Sequence, residues 1–194
     1  MRIIGVTGRI ASGKNTFASY FVRHCRFGKN IAIFDADIEI KYLYQNAQVI
    51  ELFKKKLPHL IINNKINFDL LKKNIFNNIA INKAIKNILY PFLYKKMIEH
   101  IRIYRLKGYG ALILNIPLIY ELKADLLCDD VYIIKSSFLQ RNKRLIKRNG
   151  DIRLFEFEKS ISYRQKFNEN HGNKFIYNIS KNDILNYIKE NFLI

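Results

Sequence analysis

The chain has 194 residues, which suits one domain with a single buried core, and its 49% hydrophobic content is typical of a globular protein. Its two cysteines are too few for a disulfide framework, and no uncharged apolar run reaches the roughly 18 residues that span a bilayer, so we expect a soluble cytoplasmic protein. The formal net charge of +18 is compatible with a nucleic-acid surface, but the lysines are scattered and the chain is rich in Lys, Asn, Ile, Tyr and Phe, which favours compositional drift together with small anionic ligands.

The first predicted strand, Arg2–Val6, leads into a glycine-rich segment, GRIASGKNT, at Gly8–Thr16. This segment matches the G-x-x-x-x-G-K pattern of phosphate-binding loops, and a predicted helix, Gly13–Arg26, follows it as that motif requires. In such loops the backbone N–H groups and the helix N-terminus bind phosphate, and the lysine reaches the β- and γ-phosphates. The pattern predicts a nucleotide site with contacts from Gly8, Ala11, Ser12, Gly13, Lys14, Asn15 and Thr16.

Asn15 departs from this motif, which has Ser or Thr directly after the lysine. That hydroxyl normally ligates the Mg²⁺ ion between the β- and γ-phosphates. Magnesium prefers hard oxygen ligands but keeps several waters, so the Asn15 amide oxygen can bind it directly or through water. Thr16 is rotated by about 100° around the helix and is expected to face the α-phosphate. We therefore predict Mg²⁺ binding that is weakened but retained.

A second apolar strand, Ile31–Phe34, ends in Asp35-Ala36-Asp37. Doubly wound sheets place their chemistry at the carboxyl ends of such strands. A carboxylate there can accept the proton of an attacking hydroxyl, as in kinases. An aspartate at this point is also a favoured helix N-cap, and with two aspartates both interpretations hold: one caps and one reacts.

The remaining pattern alternates apolar strands with helical segments. Further strands are predicted at Ala111–Leu114, Val131–Ile134 and Phe175–Tyr177, and further helices at Phe68–Phe76, Ala80–Leu106, Phe138–Arg148, Leu154–Phe167 and Lys181–Phe192. Pro91 is expected to bend or break the longest helix, and loops are expected at 63–65 and 149–151. The alternation predicts an α/β fold with a five-stranded parallel sheet that helices cover on both faces.

Three arginines, Arg141, Arg144 and Arg148, share one face of a basic predicted helix. A solvated charged face is the ordinary explanation of such a run. Beside a phosphate loop, however, arginines on a mobile lid can hold the transferring phosphoryl group. We favour this second interpretation.

Five blocks occur in order with sensible gaps: GRIASGKNT, FDADIEIKYLY, NILYPFL, ILNIPLIYE and QRNKRLIKRNGD. Together they resemble the dephospho-CoA kinase family over about residues 2–180. The resemblance implies a P-loop NTPase-type three-layer fold in a single kinase domain, 1–194. Its core is expected at about 1–37 and 108–194, a helical substrate cap at about 38–107, and a basic lid at about 141–155. It also implies phosphorylation of the 3′-hydroxyl of the dephospho-CoA ribose, using ATP and Mg²⁺.

The resemblance also assigns residues to roles. It implies Lys14 as the phosphate lysine, Asp37 as the base for the ribose hydroxyl, and Arg144 and Arg148 as lid arginines. The acceptor side is expected to include Pro117, Leu118, Ile119 and Glu121, and the adenine side Asn178. The expected partners are ATP and dephospho-CoA, the expected metal ligand is Asn15, and the expected assembly is a monomer.

The chain departs from the family pattern at Asn15, at Tyr90 in place of His, and at Asn115 in place of a frequent Asp. Two alternatives stay open from the residues. The first is another P-loop kinase, for a nucleoside monophosphate or another small metabolite. The second is a basic nucleic-acid-binding protein that retains a relic loop.

Overall fold

The structure is a computed structural model, which describes residues 1–25, 30–148, 174–177 and 181–192. Five strands form one parallel sheet in the order β2-β5-β1-β6-β7, as predicted. The strands of this sheet are β1 (Arg2–Gly8), β2 (Ile31–Asp35), β5 (Ala111–Asn115), β6 (Asp130–Lys135) and β7 (Lys174–Tyr177). Every predicted strand is present, and its bounds agree with the prediction to within two residues.

Seven α-helices lie within the described residues. They are α1 (Lys14–His24), α2 (Ala36–Leu43), α3 (Ala47–Lys56), α4 (Phe68–Asn77), α5 (Ile79–Leu106), α6 (Phe138–Lys147) and α7 (Lys181–Phe192). Short 3₁₀ turns occupy Pro58–Leu60 and Ala124–Leu127. The predicted helix Leu154–Phe167 and the predicted loop 149–151 lie outside the described residues. None of the described helices has the length and apolar content that a membrane span requires.

The three central strands, β5, β1 and β6, are buried on both faces of the sheet, as their continuous apolar sequences predict. On one face, Val6 and Tyr132 pack with Phe17 and Phe21 of α1 in a core that also contains Ile184 and Ile188 of α7. On the other face, the Phe34 ring meets His100 of α5 edge-to-face, with 5.2 Å between ring centroids. The first face matters for function because α1 packs there directly after the glycine-rich loop.

The chain divides into two compact units. One contains Met1–Asp35 and His100–Ile194, and includes the five-stranded sheet. The other is Ala36–Glu99 and contains α2, α3, α4 and most of α5. In this second unit Tyr44 packs edge-to-face on Phe53 and Phe68, which joins three helical segments around one aromatic cluster.

Two features of the second unit bear on the expectations for Pro91 and for the loop at 63–65. Pro91 does not break the long helix, because α5 runs without interruption from Ile79 to Leu106. The loop expected at 63–65 is present as a turn at Asn63 and Asn64, which joins β3 (Ile61–Ile62) to β4 (Lys65–Ile66) in a small antiparallel hairpin. Its two turn residues, Asn63 and Asn64, have φ angles of 50° and 61°, which suits the two-residue turns that match strand twist.

Both cysteines are unpaired thiols, as expected. Burial raises the pKa of Cys25 to about 12. Burial, helped by the charges of Asp125, Asp129 and Asp130, raises the pKa of Cys128 to about 12 as well. Since the thiolate is the reactive form, neither cysteine is a nucleophile at neutral pH.

Candidate active site

The loop between β1 and α1 has a backbone that depends on left-handed φ angles. Gly8 has φ 147°, Ala11 has φ 57° and Gly13 has φ 106°. At Gly8 a Cβ would also collide with the carbonyl oxygen of Ile134 and lie 2.8 Å from the Ser12 hydroxyl. The glycine at position 8 is therefore required by space as well as by conformation.

The N-terminus of α1 is built to receive an anion. Its N-cap residue is Gly13, which supplies no side-chain cap, and the first turn contains no acidic residue. The first backbone N–H groups of a helix have no acceptor within the helix, and the helix dipole makes this end positive. An anion at the loop therefore meets both hydrogen-bond donors and a favourable field.

Lys14 brings a full positive charge into the loop. Its side chain is 9% exposed, and its Nζ donates to the carbonyl oxygens of Gly8 at 3.0 Å and Arg9 at 3.1 Å. Removing an ammonium group from water is costly unless polar partners replace the lost hydration. The loop carbonyls supply those partners and hold the charge beside the uncapped helix end.

Two arginines of α6 fasten that helix to the loop. Arg144 donates from Nη1 to the carbonyl oxygens of Ala11 at 3.3 Å and Ser12 at 3.2 Å, and to the Ser136 hydroxyl at 2.9 Å. Arg141 is 3% exposed and donates to the carbonyl oxygen of Ile10 at 3.2 Å. Burial, together with the charge of Arg148, lowers the pKa of Arg144. The arginines place two more positive charges at the loop.

A polar triad lies on the same face of the sheet as α1. Asn115 ends β5, pairs in register with Asp35 at the end of β2, and is 2% exposed. Its Nδ2 donates to Oδ1 of Asn15 at 3.1 Å and to Oδ2 of Asp35 at 2.8 Å. Both amide hydrogens are therefore used, and the triad joins the loop helix to two strand ends.

The other predicted residues are distributed as follows. Thr7 donates through its hydroxyl to the Pro117 carbonyl at 2.9 Å, which ties the PLIYE segment to the end of β1. Pro117 and Leu118 are half-buried, and Glu121 is exposed. Thr16 is half-buried in the first turn of α1, Arg148 is exposed directly after α6, and Asp37 is exposed in the first turn of α2. Asn178 lies outside the described residues.

Two residues have contacts at the loop that the sequence did not predict. Arg141 is expected from the sequence to hold the phosphoryl group from a lid, together with Arg144 and Arg148, but its side chain is buried and donates to the loop backbone. Asn115 was noted only as a departure from a family pattern. Its position directly after four apolar residues of a predicted strand was the available signal, since such strand ends meet at one edge of a parallel sheet.

The parallel sheet, the loop between β1 and α1, and the arginine-bearing helix docked on that loop together define a P-loop kinase. The comparison with family models is more specific: the dephospho-CoA kinase model matches residues 2–173. The chain therefore belongs to the dephospho-CoA kinase family, and its function is the phosphorylation of dephospho-CoA in coenzyme A biosynthesis, with ATP as phosphoryl donor. The two alternatives that the residues left open are not favoured.

Individual relatives agree with this assignment. The chain is 36% identical to a dephospho-CoA kinase of Prochlorococcus marinus subspecies pastoris, covering 76% of this chain and 72% of the relative. It is 29% identical to a dephospho-CoA kinase of Bartonella henselae, covering 87% and 83%. The crystal structure of TT1252 from Thermus thermophilus has a TM-score of 0.75 over 97% of this chain and 94% of the other, at 20% identity, which supports the fold.

Proposed function

We propose that the chain transfers the γ-phosphoryl group of ATP to the 3′-hydroxyl of the dephospho-CoA ribose, with the ATP phosphates on Gly8–Thr16. The observation that carries this placement is the charge of Lys14, held by loop carbonyls next to the uncapped N-terminus of α1. A triphosphate brings the negative charge that this arrangement favours. Arg144, which contacts the same loop, is placed to stabilise charge that develops on the transferring group.

Asp37 is proposed as the general base. It lies two residues beyond the end of β2, in the first turn of α2, and its side chain is exposed to solvent. Its carboxylate accepts the proton of the 3′-hydroxyl as that oxygen bonds to the γ-phosphorus. The bond from the γ-phosphorus to the bridging oxygen breaks, and ADP leaves with the bonding electrons.

The residues at the loop fit a magnesium ion in ligand type. The described residues contain no cluster of three or more His, Cys, Asp or Glu side chains able to bind a metal. Oxygen donors are nevertheless present in Asn15 and Asp35, and the buried Oδ1 of Asn115 has no hydrogen-bond partner among the described residues. Asn15 would hold the ion, directly or through water, and the ion would neutralise charge on the phosphates.

The remaining assignments complete the proposal. Pro117, Leu118 and Glu121 contact the acceptor, Arg148 joins Arg144 on a lid at 141–155, and Asn178 contacts adenine. The segment at about 38–107 forms the substrate cap of one kinase domain. The unpaired cysteines support a reducing compartment such as the cytoplasm, and we expect a monomer.

The test is transfer of label from γ-labelled ATP to dephospho-CoA, beside a panel of nucleoside monophosphates. Asp37→Asn is expected to lower kcat by a factor on the order of 10²–10⁴ because a general base is lost, while ATP binding is retained. The matched control is Asp69→Asn, since Asp69 is also an exposed aspartate in the first turn of a helix. A near-normal kcat for Asp37→Asn would exclude Asp37 as the base. Label on a nucleoside monophosphate and none on dephospho-CoA would overturn the acceptor.

A further inference from the structure

Asn115 contacts the two oxygen-bearing side chains, Asn15 and Asp35, that lie at the phosphate loop and at the end of β2. Its Nδ2 lies within hydrogen-bond distance of an amide oxygen on α1 and of a carboxylate oxygen at the end of β2. These partners are 100 and 80 residues away along the chain. The contact therefore depends on the packing of α1 against β5 and on the register of β5 with β2.

The direction of these bonds is set by the partners. Asp35 offers carboxylate oxygens, which accept hydrogen bonds when ionised, and the atom of Asn15 that faces Asn115 is its oxygen. Only the nitrogen of the Asn115 amide can satisfy both. The opposite orientation would bring three oxygens together with no hydrogen between them. In this orientation the buried Oδ1 of Asn115 has no partner among the described residues, which is unfavourable in free energy. The two hydrogen bonds that Nδ2 donates offset this cost.

A bound divalent cation would also hold two oxygen atoms close together, because its positive charge attracts both. Without an electropositive neighbour the oxygens of Asn15, which is exposed, and Asp35, which is half-buried, would face each other with no donor between them. The Asn115 amide supplies the neighbour through two N–H groups. Helix α1 and the end of β2 are therefore joined by the neutral side chain of Asn115.

We propose that Asn115 is a positioning residue that joins Asn15 to Asp35 without a metal ion. The nucleotide-free site then needs no divalent cation to hold its shape, and Mg²⁺ is required only together with ATP. A carboxylate at position 115 would instead create a cation-dependent site. The catalytic consequence of this inference rests on the proposed function, whereas the structural part concerns the nucleotide-free protein alone.

The test measures the Tm of nucleotide-free protein in EDTA and in millimolar Mg²⁺. We expect the wild-type Tm to change by less than about 1 °C, because Asn115 already supplies an N–H donor to each of the two oxygens. Asn115→Asp places a carboxylate against Asp35 and should lower the Tm in EDTA by about 5 °C. Millimolar Mg²⁺ should restore most of that loss. The matched control is Asn67→Asp, since Asn67 caps α4 through its side-chain oxygen, a task that Asp performs equally well.

Two further variants keep the inference testable if Asn115→Asp does not fold. Asn115→Ala removes one donor from each of the two oxygens and should lower the Tm in EDTA and in Mg²⁺ alike. The double variant Asn15→Ser/Asn115→Asp supplies a hydroxyl donor to the new carboxylate and should recover at least half of the loss seen in Asn115→Asp, or fold where that variant does not.

Kinetics separate a positioning role from a general loss of structure. Asn115→Asp should lower the Mg²⁺ concentration for half-maximal rate by about 3-fold or more, because a carboxylate attracts the ion more strongly than an amide, whereas a general loss of structure would lower kcat and leave this concentration unchanged. An equal Mg²⁺-dependent rise in Tm for wild type and Asn115→Asp would overturn the inference, as would a Tm of Asn115→Ala equal to that of wild type. Failure of the label-transfer assay would count against the proposed function and leave the Tm result standing.

Discussion

At the scale of single residues, the phosphate loop contains one strained position that is not glycine. Ala11 has φ 57°, a conformation that costs an L-residue about 1–2 kcal/mol because its Cβ approaches the following carbonyl oxygen. Glycine removes this cost but loses more entropy on folding. We expect Ala11→Gly to raise the free energy of unfolding by about 0.5–1 kcal/mol, measured by urea denaturation.

Lys123 provides the control for this prediction. It also has a left-handed φ, 56°, but it lies directly before the 3₁₀ turn Ala124–Leu127 and is not part of the phosphate loop. Lys123→Gly should give a gain of similar size. A loss of stability for Ala11→Gly beside a gain for Lys123→Gly would show that loop contacts, and not the φ angle, decide the effect at position 11.

The residues of the loop could be predicted from the sequence because their contacts are local. Lys14 bonds to carbonyl oxygens only five and six residues earlier in the chain. Arg141 and Arg144 bond instead to loop carbonyls 131 to 133 residues away, and Asn115 reaches Asn15 across 100 residues. No spacing rule connects such positions, because the sheet order and the helix packing create the contact.

At the scale of elements, α5 contains a proline in its interior, Pro91, and therefore lacks one backbone hydrogen bond. Pro91 has no N–H to donate to the carbonyl of Asn87, yet the helix continues for 15 more residues to Leu106. Because Pro91 is exposed, an alanine there loses no buried contact and restores the donor. We expect Pro91→Ala to raise the free energy of unfolding by about 1–3 kcal/mol, measured by urea denaturation.

The control for this element is Pro58→Ala. Pro58 is the first residue of a 3₁₀ turn, where the missing N–H would have no partner in the helix and the fixed φ is favourable. This substitution should leave stability unchanged or lower it slightly. If Pro91→Ala gave no gain, the surroundings of α5 would have to favour the proline in a way that backbone hydrogen bonding does not describe.

The strands and most helices followed from periodicity because each is long enough to repeat its pattern. The Ile61–Ile66 hairpin did not, since its two strands have only two residues each. The longest helix was predicted nearly with its observed bounds, but the break that Pro91 could cause is not present. Proline lowers the intrinsic stability of a helix, whereas the buried residues Ile85, Leu89, Leu93 and Met97 supply packing on both sides of Pro91.

At the scale of the whole molecule, the alternation of strands and helices was enough to predict a parallel sheet, but the strand order was not available from it. The order β2-β5-β1-β6-β7 places β1, the earliest strand, at the centre. Burial of β1 on both faces and pairing on both edges explains its apolar sequence. The division at Asp35 and His100 likewise emerges from contacts and not from any linker composition.

The excess of 34 basic over 16 acidic residues makes each carboxylate that joins strands important at low pH. Asp130, the first residue of β6, contacts Arg2 at 2.5 Å and Lys174 at 2.6 Å, which are the first residues of β1 and β7. Burial acts to raise the pKa of Asp130, but hydrogen bonds and charge from Lys174 and Arg2 outweigh it and hold the pKa below its usual value.

The sign of the linkage predicts an acid-sensitive contribution to stability. A carboxylate whose pKa is lower in the folded state stabilises the protein above its unfolded pKa, near 4, and this contribution is lost as the pH falls through the folded value. Asp130→Asn should therefore lower the free energy of unfolding by about 1 kcal/mol at pH 7, an amount kept small because Arg2 and Lys174 are 44% and 43% exposed. The difference from wild type should shrink below about pH 4.

Urea denaturation between pH 3 and pH 7, at about 0.1 M salt to limit screening differences, measures this change. Glu51→Gln is the matched control, because Glu51 pairs with Lys54 on an exposed helix face where ion pairs contribute little. Its free energy of unfolding should stay within about 0.5 kcal/mol of wild type at every pH. A deficit in Asp130→Asn that stays constant down to pH 3 would mean that Asp130 acts through packing or neutral hydrogen bonds. The ion pairs of Asp130 with Arg2 and Lys174 would then not be the interaction by which Asp130 stabilises the contacts between β1, β6 and β7.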